Sequence, residues 1–181
     1  MIQDSIHRLL REASSEQREL ALEDASAFFW VDWNEDDDRI PGLCEAVLKT
    51  GDLAAAWDDD SLFINRRGQR YAVTLTRSLL TSIANSWVFA SVYWLLPFVG
   101  DLFYWPGRGD RHTTILAVNR ALQPDYEIRH VMGSADGDSA AFAPLAAGEW
   151  ATLESQYGAG AVGSKFAALR EEQNIFLEEF R

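Results

Sequence analysis

Side chains able to make or break bonds are sparse in this chain: three histidines, His7, His112 and His130, and one cysteine, Cys44, stand among 181 residues. No serine lies in a nucleophile-elbow pattern, no His-Glu-x-x-His stretch offers a zinc site, and no base accompanies Cys44, so neither a triad nor a reactive thiolate is indicated. Strand alternation puts His130 on the face of Tyr126, Ile128 and Met132, where a hydrogen-bonded, half-buried imidazole is expected. Carboxylates are plentiful by contrast. Asp32, Asn34 and Asp36 occupy the first three ligand positions of a calcium loop, but Asp37 replaces the glycine of its sharp turn and Leu43 stands where the bidentate glutamate belongs. The same hard donors, Asp36, Asp37 and Asp38 with Asp58, Asp59 and Asp60, are the candidates for an irregular magnesium or calcium site. Gly158, Gly160 and Gly163 match the glycine spacing of the dinucleotide fingerprint, yet a helical pattern rather than a buried strand precedes them, so they read as an inter-helix connection. Arg108-Gly109-Asp110 reads as a turn. The residues therefore assign no catalytic group, no cofactor and no metal ligand.

The placement of charge is more informative. Asp and Glu number 28 against 16 Lys and Arg, a net charge of -12, which disfavours binding to nucleic-acid phosphates and favours a basic partner. Residues 21–60 hold twelve acids and two bases, so this stretch carries most of the excess. The dipole of a following helix stabilises carboxylates at Asp36 to Asp38 by about 0.3–1 kcal/mol each, which accounts for one or two of them. The others repel one another unless something positive approaches, and Trp30, Trp33 and Trp57 are interleaved as contact anchors. The expected partner-binding surface is thus Trp30, Asp32, Trp33, Glu35, Asp36, Asp37, Asp38, Trp57, Asp58, Asp59 and Asp60.

These residues need elements to position them. Ile2, Ile6, Leu9 and Leu10 predict one helix, and a stretch from Ser15 that aligns Leu22, Ala25 and Phe29 predicts a second. Ile40, Leu43, Cys44, Val47 and Leu48 predict a third, with Pro41 in its first turn and Gly51 just past its end, which turns Cys44 to the core. The period then changes to two: a short strand near Ala54 to Trp57, and a hairpin from Ser61 to Asn65 and Tyr71 to Thr76 around the turn Arg66-Arg67-Gly68-Gln69. A helix capped by Asp110 carries Ile115, Val118, Asn119 and Leu122 and ends near Pro124, and Tyr126 to Met132 is a strand. A helical turn from Asp138, a helix with Trp150, Leu153 and Tyr157, and a last one with Val162, Phe166, Leu169, Phe176 and Phe180 complete the chain. Residues 78–100 carry no charge, but Thr81, Ser82, Asn85, Ser86 and Pro97 interrupt them, and Trp and Tyr lie mid-segment, so a buried core segment is expected rather than a membrane span. The pattern is α+β, a single domain over residues 1–181. Helical regions at residues 1–51 and 133–181 flank a small, mainly antiparallel sheet, whose strand region, residues 52–132, holds an aromatic segment at 87–105. Met1 to Leu10 is amphipathic and charged rather than a signal peptide, so a cytoplasmic location is expected.

The run from Asp110-Arg111 to Asn119, then Leu122-Gln-Pro124-Asp-Tyr126-Glu-Ile-Arg129, Asp138, Phe142 and Trp150-Ala-Thr-Leu153-Glu154, resembles the C-terminal half of small acidic immunity proteins from bacterial polymorphic-toxin systems, those of contact-dependent inhibition or type VI secretion. It extends over residues 55–157. The resemblance implies a non-catalytic protein that neutralises a cognate intracellular toxin, with no nucleic acid or membrane as partner. Two other readings stand beside it: a small metal-dependent enzyme using the Asp clusters, and an acidic adaptor for another basic protein.

Overall fold

The structure, a computed structural model, describes residues 2–11, 15–59, 61–73, 111–134 and 138–178. The first two helices follow their apolar spacing: α1 (Ile2–Leu10) buries Ile6, Leu9 and Leu10, and α2 (Ser15–Leu22) buries Ala21 and Leu22. Past Leu22, Asp24 sets a turn, accepting bonds from Ser26 Oγ (2.5 Å) and Ser26 N (3.0 Å) and from Ser5 Oγ (2.5 Å) on α1. The Ser26 and Ser5 hydroxyls hold its carboxyl below the usual range. The chain then enters β1 (Phe29–Asp32), where the spacing predicts that the helix continues to Phe29. Phe29 is instead a strand residue because it pairs with Phe142, the rings stacked at 5.5 Å, a contact 113 positions away that no local pattern announces.

A single 3-10 turn (Asp37–Arg39) leads into α3 (Ile40–Leu48), which buries Ile40, Cys44 and Val47 and has Pro41 in its first turn. Its left-handed cap is Lys49 (φ 56°), whose N–H donates to Glu45 O at 2.7 Å, and Gly51 follows two residues later. Strands β2 (Ala54–Asp58), β3 (Ser61–Arg66) and β4 (Gln69–Ala72) form an antiparallel meander. The expected four-residue turn narrows to two, Arg67 and Gly68, with φ values of 49° and 74°. Both are positive, as in the hairpin turn whose twist suits its strands, and the second position suits glycine. Leu62 and Ile64 face inward as predicted, and alternation then carries Arg66 inward too.

Helix α4 (Arg111–Leu122) and strand β5 (Tyr126–Val131) match their predicted bounds closely. Asn119 on α4 accepts from the Ile128 N–H at 2.8 Å and so ties the helix to the strand. The helical turn expected from Asp138 is absent: β6 (Ser139–Ala146) runs there, between β1 and β5. Its alanines favour a helix in isolation, but they also let both faces of the strand lie close under packed elements. Pro144 is tolerated because β1 pairs only with residues 139–142, leaving β5 as the single neighbour at that point among the described residues. Helix α5 (Ala147–Tyr157) is as predicted. The expected last helix is not continuous: α6 (Ala159–Lys165) is followed by β7 (Phe166–Ala168) and a single turn, α7 (Ile175–Glu178). Phe166 leaves the helix because it packs on Trp150, with ring centres 5.3 Å apart, and pairs with Val131.

The fold is α+β, with one four-stranded antiparallel sheet in the order β1-β6-β5-β7 and one three-stranded sheet in the order β2-β3-β4. Alternation along the larger sheet divides the core. Phe29, Val31, Ile128, Ala140 and Phe142 face α3, α4 and the smaller sheet, whereas Val131, Ala141, Ala143 and Leu145 face α1, α2, α5 and α6. Among the described residues no helix is long and apolar enough to cross a membrane. The uncharged segment 78–100 and the aromatic segment 87–105, both singled out above, lie outside the described residues.

Candidate functional site

The acidic stretch is gathered at one end of the smaller sheet. Trp57 closes the inward face of β2, paired with Leu62 but beyond the packed core, and the residue is 51% exposed. Its indole N–H donates to Asp38 Oδ2 at 3.1 Å, which fastens the end of β2 to the 3-10 turn. Two acidic segments distant in sequence therefore meet, with Asp36 and Asp38 on one side and Asp58 and Asp59 on the other, all exposed. Asp59 takes a left-handed conformation (φ 50°) in the tight connection to β3, a geometry aspartate tolerates better than most side chains. Asp58 is paired with Arg70 at 3.2 Å, and that guanidinium lies over the Phe63 ring at 4.1 Å.

Other expected members of the surface have internal duties. Asp37 is 8% exposed and accepts from Thr114 Oγ1 at 2.9 Å, so it joins the turn to α4 instead of facing solvent with its neighbours. Glu35 is half-buried, bridged to Arg39 at 3.0 Å, and its carbonyl accepts from Arg111 Nη2 at 3.0 Å. Asp32 accepts from the Asn34 N–H at 2.6 Å in a local turn. Trp33 packs edge-on against Phe176 at 6.0 Å and so props α7 against the core, while its backbone N–H donates to Asp138 O at 2.7 Å. Trp30, 38% exposed, lies on the opposite face of β1 from Phe29 and Val31, where its indole donates to Leu22 O at 3.3 Å. The larger sheet thus separates Trp30 from Trp57. Asp60 lies outside the described residues.

Residues with catalytic potential are occupied elsewhere. Burial raises the Cys44 thiol far above its ordinary pKa, with Glu45 adding to the effect, so the thiol is kept protonated. His7 meets the Tyr157 hydroxyl at 2.8 Å and His112 the Arg170 carbonyl at 2.7 Å. His130 is buried rather than half-buried, beside Phe142 at 5.6 Å, and its Nε2 has no hydrogen-bond partner among the described residues. Burial, with His112 nearby, lowers its pKa to about 4. Among the described residues no group of three or more His, Cys, Asp and Glu side chains could hold a metal ion. The fingerprint glycines are divided between the link residue Gly158 (φ 88°) and the body of α6, so no strand-to-helix phosphate loop forms.

One residue with a large structural role was not singled out from the sequence. Arg66, expected in a turn, has its side chain 3% exposed and donates through Nη1 to the carbonyls of Ala121 (2.9 Å) and Leu122 (2.6 Å), closing the C-terminus of α4. Its Nη2 reaches Asp125 at 3.1 Å and its Nε lies 3.7 Å from Asp52, while Arg67 approaches the same two carboxylates at 2.7 and 3.6 Å. The available signal was the alternation of Leu62, Ile64 and Arg66. No protein-family model matches the chain, and no curated protein or solved structure is significantly similar to it.

Proposed function

We propose that the protein is a non-catalytic immunity protein, which binds a basic toxin and blocks it through the acidic surface centred on Trp57. The observation that carries this reading is a half-exposed indole held in place by a carboxylate, Asp38, and flanked by the exposed acids Asp36, Asp58 and Asp59. An aromatic anchor fixed before binding loses little freedom on docking, and the acids around it steer a basic partner to the same spot. Toxins that act on nucleic acids or nucleotides have basic clefts, which suit such a surface in sign and in scale. The internal roles of Asp37 and Trp33 remove them from the contact set, and the cytoplasm is where an inhibitor of an intracellular toxin must act.

Growth protection against the product of the neighbouring gene, expressed in the same cell, together with purified-protein binding, tests the proposal. Trp57→Ala should raise the off-rate and cost about 2–4 kcal/mol of binding, within the range of hot-spot truncations. Reversal of Asp36, Asp58 and Asp59 to Lys, which leaves the Asp38 clamp on Trp57 intact, should mainly slow association and flatten its salt dependence. Well-folded variants that bind and protect like wild type would refute the surface. A wild type that neither binds nor protects would refute the immunity role.

A further inference from the structure

The smaller sheet ends at β2, and the main-chain groups along that edge can be assigned. Val73 N donates to Leu62 O at 2.9 Å, so the N–H and C=O of Leu62 point to β4. Direction alternates along a strand, and Phe63 therefore turns its N–H and C=O to β2, where it pairs with Ala56. Ala54, Ala56 and Asp58 are thereby bonded to β3, while the N–H and C=O groups of Ala55 and Trp57 point away from the sheet. No hydrogen bond among the described residues engages them, and the 3-10 turn holds Trp57 by its indole rather than by its backbone. Edge strands are ordinarily guarded by a proline, a lysine, a bulge or an inward-pointing charge. Strand β2 has none of these: Ala54 to Asp58 pair in unbroken register, without proline or lysine, and the inward residues are Ala55 and Trp57. Its three alanines are poor strand formers, and their small side chains leave the main chain open to an approaching strand. The C-terminal end of this edge is acidic, with Asp58 and Asp59 on the strand and its turn and Asp36 and Asp38 across from Trp57.

We propose that β2 receives an extended, basic segment of a partner protein as a further strand of the smaller sheet. Ala55 and Trp57 supply the main-chain bonds, and the four carboxylates meet the lysine or arginine side chains of the incoming strand. A residue opposite Trp57 places its side chain on the same face as the indole and Asp38, where a cation meets both a ring and a carboxylate. The protein already makes that combination on the other face of the sheet, with Arg70 over the Phe63 ring at 4.1 Å and on Asp58 at 3.2 Å. Pairing with β2 of a second copy is disfavoured, because each chain carries a net charge of -12 and would bring its own Asp58 and Asp59 to the same edge. This inference rests on the reading of the acidic surface as the dock for a basic partner and adds the main-chain mode of docking.

The test uses the full chain and an acetylated, amidated hexapeptide of alternating lysine and valine, with amide hydrogen exchange read by NMR. In the free protein the Ala55 and Trp57 amides should exchange readily and the Ala56 amide slowly. Saturating peptide should slow exchange at Ala55 and Trp57 at least tenfold. N-methylation of every second peptide residue should abolish binding in one phase and spare it in the other, and a peptide with glutamate in place of lysine should not bind. Ala55→Pro removes an outward N–H without touching a bond to β3, and should weaken the lysine peptide at least tenfold. Protection of Ala55 and Trp57 in the free chain, whether by its own residues or by a second copy, would overturn the proposal. So would exchange unchanged by the peptide, or equal binding of the glutamate peptide or of both N-methylated forms. Should Ala55→Pro lose its fold, the exchange pattern and the N-methylated peptides still decide it. None of these measurements uses the product of the neighbouring gene, so strand addition can fail while binding and growth protection stand, and the reverse.

Discussion

Acidification from pH 7 to pH 4.5 should destabilise the protein through one side chain, His130. Its imidazole is buried beside Phe142 with Nε2 unpaired among the described residues, and its pKa falls from 6.5 to about 4 on folding. Between those values the unfolded chain binds a proton that the folded one refuses. Stability from this source is therefore complete above pH 6.5, declines as the pH drops through the window, and reaches its full loss below 4. At about 1.36 kcal/mol per unit of separation the whole window is worth about 3 kcal/mol, and the step from pH 7 to 4.5 about 2 kcal/mol. With a urea slope of about 1–3 kcal/mol per molar, the unfolding midpoint should fall by about 1 M. Other groups titrate in the same interval, so the decisive quantity is a difference between proteins. His130→Met replaces the ring with an adaptable apolar chain and removes an unpaired buried nitrogen. It should be neutral or stabilising at pH 7 and should lose about 2 kcal/mol less than wild type on acidification, as read by urea denaturation followed by circular dichroism. Equal pH dependence in the two proteins would refute the assignment of a buried, neutral His130.

Two further substitutions examine the internal polar links. Arg66→Ala should cost about 1–3 kcal/mol in thermal or urea unfolding, because it leaves the Ala121 and Leu122 carbonyls at the end of α4 without their buried donor while Arg67 still faces Asp125 and Asp52, and Arg66→Lys should recover only a fraction of this since an ammonium lacks the guanidinium fork. Asp37→Ala should cost about 1–3 kcal/mol by leaving the Thr114 hydroxyl buried without this acceptor, whereas Asp36→Ala, one residue earlier but exposed, should stay within about 0.5 kcal/mol in the same assay.

The elements that the sequence predicts well are those whose signal is local. Ile40 to Leu48 repeats at helical spacing with Pro41 at its start, and Leu62 and Ile64 alternate ahead of a turn, so α3 and the β2–β4 meander can be read from a dozen residues at a time. The clustering of charge in residues 21–60 is likewise a property of composition. The departures have one cause in common. Phe29, the alanines of 139–146 and Phe166 fit a helical period or propensity, while what makes β1, β6 and β7 strands is pairing with partners far along the chain. That pairing energy is absent from any short window.

The candidate surface divides along the same line. Sequence alone determined that acids and tryptophans are concentrated in one stretch, and that no linear catalytic or metal motif accompanies them. Only the tertiary structure decided that Asp38 meets Trp57, that Asp37 turns toward Thr114, that Trp33 supports Phe176, and that Trp30 lies across the sheet. Neighbouring residues in a turn or strand point to opposite sides, so a run of like charges does not become a face until the packing of distant elements chooses which members see water.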